Sequence, residues 1–323
     1  MKKSCTIIIS HYESLTFLET CIRQIQKYQH PDIEQVVLIM DQSSQEAFDR
    51  IRGLCIHRPM SMQWNRIDSL YSGYGIDYAI RNRPIQTDYI CQLHADAFPI
   101  SDQWLRAAIV LMEENKLAFS GVLQFICDSP SPIYPYKGKS VFGMAQCFNI
   151  GRTDVYKEMS MQGGFTRFHN RLTTGMTWES TEWNDWSKED YDHRGSDDDV
   201  PAFFWEDNNR EHDKLGFGFT GKMGIDGKES NYGTIIEDLV FHFGFHRESR
   251  GVMGQMGENY RNWTRRIHEG YTDELIQEML SVARTQPTDP ANNRLFWDGT
   301  KKIATRTSHT INQRIEQLKN GLD

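Results

Sequence analysis

The stretch Cys5-Thr6-Ile7-Ile8-Ile9-Ser10-His11-Tyr12-Glu13-Ser14, followed by Leu15, Leu18, Ile22 and Ile25, decides the fold class. Residues 5–9 are a short continuous apolar run rich in β-branched side chains, which reads as a strand buried on both faces of a parallel sheet. The four apolar residues after the polar turn recur at helical spacing and line one face, and Ser14 stands where it can cap the first turn. Pro31-Asp32 breaks that pattern, and residues 35–40 form a second apolar strand running into Asp41-Gln42-Ser43-Ser44. Strand, helix and strand with short links make a βαβ unit, and so a parallel sheet with right-handed crossovers.

Outward from this unit, residues 89–93 read as a further strand, leading into His94-Ala95-Asp96-Ala97-Phe98-Pro99. A helix over 101–114 turns Trp104, Leu105, Ala108 and Leu111 inward, and strands are expected over 118–125 and 143–150. From Gly163 to Phe219 the periodicity weakens, and apolar order returns over 234–245. The tail, 258–323, alternates helical stretches at 273–283 and 309–318 with a Pro/Asn/Gly loop. The expected division is a domain over 1–255, with halves 1–150 and 151–255, and a helical extension over 256–323.

Of 323 residues, 38% are hydrophobic and 25% charged, the composition of a globular domain large enough for a substantial core. The net charge of −8 argues against a general nucleic-acid binder, which carries a basic stripe. No apolar run approaches the length of a membrane span. Lys2 and Lys3 precede only a five-residue apolar run, too short for a signal peptide. Six cysteines, all in the first half and without a CxxC pair, suit free thiols in a reducing compartment. A cytoplasmic location is therefore expected.

The charge is unevenly spread. Residues 178–213 hold 13 acids and 3 bases, a local charge of −10, together with Trp178, Trp183, Trp186 and Trp205. A solvated acidic tail would lack such aromatics.

In an open α/β sheet, ligands bind at the carboxyl ends of the strands. Three polar turns lie at such ends: His11-Tyr12-Glu13, Asp41-Gln42-Ser43-Ser44 and His94-Ala95-Asp96. In this order the chain resembles the family 2 glycosyltransferases with the GT-A fold. Ser10-His11-Tyr12-Glu13 stands where that family has Pro-Thr-Tyr-Asn, and Asp41-Gln42-Ser43-Ser44 where it has Asp-Asp-Gly-Ser. Gly73 to Asn82 stands for a glycine-bearing segment ending in Ala-x-x-Asn, and His94-Ala95-Asp96 for the signature Asp-x-Asp. The likeness covers residues 4–150, fades through 160–220 and returns at Val240-Phe241-His242-Phe243-Gly244.

The resemblance implies an α/β fold with a mainly parallel central sheet flanked by helices. It also implies an inverting transferase acting on a nucleotide-diphospho-sugar. Asp96 would carry Mg2+ or Mn2+ on the donor diphosphate, since these ions prefer carboxylate, phosphate and water oxygens. His94 replaces an aspartate that in the family more often meets the donor ribose. Tyr12 and Glu13, with His11 and Asn82, would border the nucleoside, and Asp41 would accept from the base. A carboxylate accepting from an imide N–H favours uracil or thymine, so a UDP-sugar is preferred. The alternative for Asp41 is a helix cap. A late histidine can complete the metal site in the family, and His242 stands at that place. On a single strand His242 and His246 would share a face.

An inverting transferase needs a carboxylate to take the acceptor hydroxyl's proton. Two candidates compete within the acidic window. Gly163-Gly164-Phe165 with Thr174-Gly175 points to the acids downstream, Glu179 and Glu182, and these are preferred. Phe204-Trp205-Glu206-Asp207 resembles the family's Glu-Asp pair and offers Asp207. A solvated lid without a catalytic acid is the alternative. The C-terminal helices would cover the acceptor, form a dimer surface or dock a partner. A degenerate nucleotide-sugar-binding scaffold and a sugar-phosphate nucleotidyltransferase are the competing functions; the latter would want a glycine-rich basic loop that Ser10 to Ser14 lacks.

Overall fold

The computed structural model describes residues 2–12, 15–53, 60–67, 72–115, 117–126, 141–161, 214–219, 221–223, 234–236, 239–242, 262, 265–285, 295–297 and 302–304. The expected βαβ unit opens it: β1 (Lys3–His11), α1 (Leu15–Lys27) and β2 (Ile33–Asp41), with β1 and β2 parallel and His11 opposite Asp41. The elements that follow are α2 (Gln45–Gly53), β3 (Ser61–Arg66), α3 (Ser72–Asn82), β4 (Tyr89–His94) and β5 (Ala97–Pro99). Next come α4 (Trp104–Asn115), β6 (Leu117–Ile126), β7 (Val141–Arg152) and α5 (Thr153–Met161). The remainder comprises β8 (Lys214–Phe219), β9 (Gly221–Met223), β10 (Thr234–Ile236), β11 (Val240–His242), α6 (Thr272–Thr285), β12 (Leu295–Trp297) and β13 (Lys302–Ala304).

Among the described residues nine strands form the central sheet, in the order β13-β12-β8-β6-β7-β4-β1-β2-β3. Only β7 and β12 run against the other seven, so the sheet is mainly parallel, as the resemblance implies. Strand alternation sorts its core into two layers. Ile7, Ile9, Val37, Ile39, Cys91 and Leu93 share one buried cluster with Leu18 and Ile22 of α1 and Trp104 and Leu105 of α4. The intervening Ile8, Leu38, Met40 and Ile90 are equally buried, and α3 and α5 pack over that face. Burying each such aliphatic side chain contributes roughly 1.5–3 kcal/mol, which is why runs apolar at every position became central strands.

A smaller antiparallel sheet, β5-β11-β10-β9, stands apart from the first. Within the apolar stretch over 234–245, β10 and β11 are joined by a reversal of the chain: Leu239 N–H donates to Ile236 O at 2.8 Å. Phe98 of β5 stacks on Phe17 of α1 with centroids 6.3 Å apart, tying the small sheet to the main core.

The C-terminal region joins the same core. Ile267, Leu275 and Ile276 belong to the main apolar cluster, while Asp273 accepts from Gln24 (3.1 Å) and Lys27 (2.7 Å) of α1. Residues 295–297 and 302–304, read from sequence as loop, pair as β12 and β13 and extend the central sheet beyond β8. The helix expected over 309–318 lies outside the described residues. No helix among the described residues is long and apolar enough to cross a membrane.

Candidate functional site

The carboxyl ends of β1, β2 and β4 lie side by side, with His11 opposite Asp41 and Ser10 opposite His94. Asp41 is fully buried. Its Oδ1 accepts from Ser43 N–H at 2.8 Å, and its Oδ2 accepts from the Trp64 indole N–H at 2.8 Å. His11 Nδ1, also fully buried, faces Asp41 Oδ1 at 3.5 Å. Burial pushes the Asp41 carboxyl up, but His11 and the Ser43 donors outweigh it and hold the group below its ordinary range. The helix-cap alternative for Asp41 gives way to a neighbour: Ser44 Oγ accepts from Ala47 N–H at 3.2 Å in the first turn of α2.

The second cluster begins where β4 ends. His94 closes that strand, Ala95-Asp96 forms a turn, and β5 starts at Ala97. β11 pairs antiparallel with β5, placing His242 opposite Ala97, one residue from Asp96. His242 Nε2 lies 3.4 Å from Asp96 Oδ1, and His94 Nδ1 lies 3.9 Å from the same oxygen. The three candidate ligand atoms fall within 4.8 Å of one another. The imidazoles meet edge to face, with centroids 5.5 Å apart.

Two observations fit a cation here. The donors are two imidazoles and a fully buried carboxylate, groups that ligate divalent metals. His242 Nε2 is buried without a hydrogen bond of ordinary length, since 3.4 Å exceeds the usual N–H···O range. Burial disfavours the charged form of His242, but Cys147 and Asp96 beside it outweigh that and raise it well above the usual imidazole range.

Beneath the site, Gln92 and Asn149 face each other across β4 and β7. Asn149 donates to Gln92 Oε1 at 3.3 Å, and Tyr156 OH of α5 donates to Asn149 Oδ1 at 2.6 Å. This buried polar chain ties α5 to the strand that ends in His94.

Of the residues singled out from sequence, the structure groups His11 with Asp41, and His94 with Asp96 and His242. Tyr12 follows β1 and is half-buried. Asn82 is not brought to either cluster: it is exposed in the last turn of α3, donating to Tyr78 O at 3.0 Å. The first turn of α3 approaches instead. A Cβ on Gly75 would stand 3.0 Å from Ser10 Oγ and 3.2 Å from Gln42 Nε2. Glu13, His246, Glu179, Glu182 and Asp207 lie outside the described residues. Sequence reasoning missed Trp64, because β3 (Ser-Met-Gln-Trp-Asn-Arg) carries no apolar run. It also missed the buried Cys147 of β7, which helps raise the His242 imidazole and which no local pattern announces.

No known family model matches the chain, and no curated protein matches it. Solved structures similar to it include a mannosyltransferase from Pyrobaculum calidifontis in complex with GDP-Man and Mn2+. The identity is 13%, over 50% of this chain and 47% of that one, with a TM-score of 0.36. S. aureus TarS 1–349 in complex with UDP-GlcNAc is 12% identical over 48% of this chain and 47% of that one, at a TM-score of 0.36. The 4-diphosphocytidyl-2C-methyl-D-erythritol synthase from Anaerococcus prevotii is 10% identical over 63% and 85%, at 0.41. The chain thus spans about half the length of the mannosyltransferase and of TarS 1–349. At these values the similarities do not bear on its activity.

Proposed function

We propose that the chain is a metal-dependent, inverting glycosyltransferase. It moves a sugar from a nucleotide-diphospho-sugar, a UDP-sugar in the first instance, to a hydroxyl acceptor in polysaccharide or glycoconjugate synthesis. The observation that carries this reading is the convergence of Asp96 and His242 at the carboxyl end of β4, beside the buried His11–Asp41 pair. Open α/β sheets bind their ligands at that edge. The ordered sequence motifs supply the donor class.

Asp96 and His242 would hold Mg2+ or Mn2+. When bound, such an ion stabilises the negative charge that grows on the departing diphosphate. Tyr12 and Asp41 would border the nucleoside. Each Asp41 oxygen already accepts one hydrogen bond, so a uracil imide N–H would use a remaining lone pair beside Ser43 N–H or the Trp64 indole N–H. An acid of the window, Glu179 or Glu182 before Asp207, would take the acceptor's proton. The reading places the enzyme in the cytoplasm, with a transferase domain over 1–255 on whose core and central sheet the 256–323 extension packs and pairs.

Calorimetry with UDP, with and without Mn2+, followed by a donor-hydrolysis assay, tests this. Metal-dependent binding with donor turnover supports the transferase. Binding without turnover of any sugar donor favours the scaffold. Pyrophosphate release from a nucleoside triphosphate and a sugar phosphate favours the nucleotidyltransferase. Absence of nucleotide binding overturns the reading. Asp96→Ala should abolish metal-dependent donor binding, and an unchanged affinity would move the site elsewhere.

A further inference from the structure

We infer that His94, Asp96 and His242 form a resident first-row transition-metal site, loaded without nucleotide and selective for Mn2+, Fe2+, Co2+ or Zn2+ over Mg2+. The inference deepens the transferase reading, which asks only for a divalent ion held by Asp96 and His242. The geometry itself stands on the three side chains.

The donor set decides the metal. Mg2+ demands an octahedron of oxygens, dehydrates reluctantly, and is usually held by one or two carboxylates with phosphates and water completing its shell. Here one carboxylate oxygen lies between two imidazole nitrogens, at 3.4 Å from His242 Nε2 and 3.9 Å from His94 Nδ1. Imidazole suits the later and softer ions, and two histidines with one carboxylate form a facial set that leaves the opposite positions open. Those open positions are where diphosphate oxygens would add.

The distances fit one ion. With metal–ligand bonds of about 2.1 Å, adjacent ligands of an octahedron stand roughly 3 Å apart. The two separations from Asp96 Oδ1 need to close by less than about 1 Å, and the three ligand atoms, within 4.8 Å of one another, come together by rotation of the two imidazoles.

The surroundings are built to hold these ligands before any substrate arrives. Asp96 is fully buried in a two-residue turn clamped between β4 and β5, and the pairing of β5 with β11 fixes His242 opposite Ala97. Three ligands from rigid elements hold the ion with water in its open positions, so that no nucleotide is needed for loading. His94 is then a ligand, at a position that in the resembled family more often meets the donor ribose.

The test uses the full chain, stripped with a chelator and titrated with Mn2+ in the absence of nucleotide. Loss of the free-ion electron paramagnetic resonance signal reports binding. The expected result is one Mn2+ per chain, retained against an excess of Mg2+ of about 100-fold. His94→Ala and His242→Ala should each weaken Mn2+ by at least ~10-fold. His94→Asp keeps a ligand at that position and guards against misfolding, and it should let Mg2+ compete at lower excess than in the wild type. Zn2+ should displace Mn2+ from the wild type. Displacement of Mn2+ by equimolar Mg2+, or wild-type affinity in His94→Ala, overturns the assignment. An unchanged Mg2+ competition in His94→Asp also overturns it.

Binding only when UDP is added overturns the resident site while leaving the transferase reading standing. Selective Mn2+ binding by a chain that takes no nucleotide leaves the site standing and removes the transferase.

Discussion

Gly75 offers the most quantitative test of how the site is assembled. It lies in the first turn of α3, where the helix approaches the carboxyl ends of β1 and β2. A Cβ there would meet Ser10 Oγ at 3.0 Å, Gln42 Nε2 at 3.2 Å and Met40 Cβ at 3.3 Å. In an exposed helix, Gly→Ala would gain about 1 kcal/mol from propensity. At Gly75 the added methyl group overpacks a closed interface, which costs about 1–3 kcal/mol. Ser10 Oγ can rotate away, but Met40 is fully buried and its Cβ moves only with the strand. The overpacking term wins, so Gly75→Ala should lower the unfolding free energy by about 1 kcal/mol. Urea denaturation by circular dichroism reads this directly, through a lower midpoint at unchanged slope. Adding Ser10→Ala removes the nearest atom and should recover part of the loss. If Gly75→Ala is as stable as the wild type or more so, α3 does not press on the strand ends as described.

Four further substitutions probe separate parts of the fold. Asp41 is held below its ordinary value of 3.8, so its ionised form stabilises the fold above that pH and the benefit is lost as pH falls through the folded value. The stability advantage of the wild type over Asp41→Asn, from urea titrations between pH 3 and 7, should therefore be full at neutral pH and shrink below about pH 4; a gap independent of pH would contradict the assignment. Tyr156→Phe removes the donor to buried Asn149 Oδ1 and should cost about 1–3 kcal/mol in the same assay. Leu275→Ala, at a position 1% exposed, should cost about 2–5 kcal/mol, whereas Asp273→Ala, breaking an exposed ion pair with Lys27, should cost under about 1 kcal/mol. Equal effects of the last two would mean that apolar burial does not dock α6.

The sequence by itself determined the sheet's beginning and its chemically active edge. Residues 5–9 and 35–40 are apolar at every position, a pattern that only burial on both faces satisfies, and the amphipathic helix between them forces parallel pairing. Each strand then ends in a polar turn, so His11, Asp41 and Asp96 were legible as edge residues before any coordinates. β3, α2 and the pairing of β12 with β13 were not, because they are short or half-exposed and carry polar residues whose pattern does not separate strand from loop.

Tertiary structure alone decided which distant residues meet. His242 reaches Asp96 because β11 hydrogen-bonds to β5, and His94 joins them because β4 ends one residue before that turn. Trp64 reaches Asp41 because β3 happens to pair beside β2. Periodicity encodes which face of an element is buried, and that is local. The register of a hydrogen-bond ladder between strands far apart in the chain depends on closing the whole sheet, so a side-chain cluster assembled across two sheets is written in no single segment.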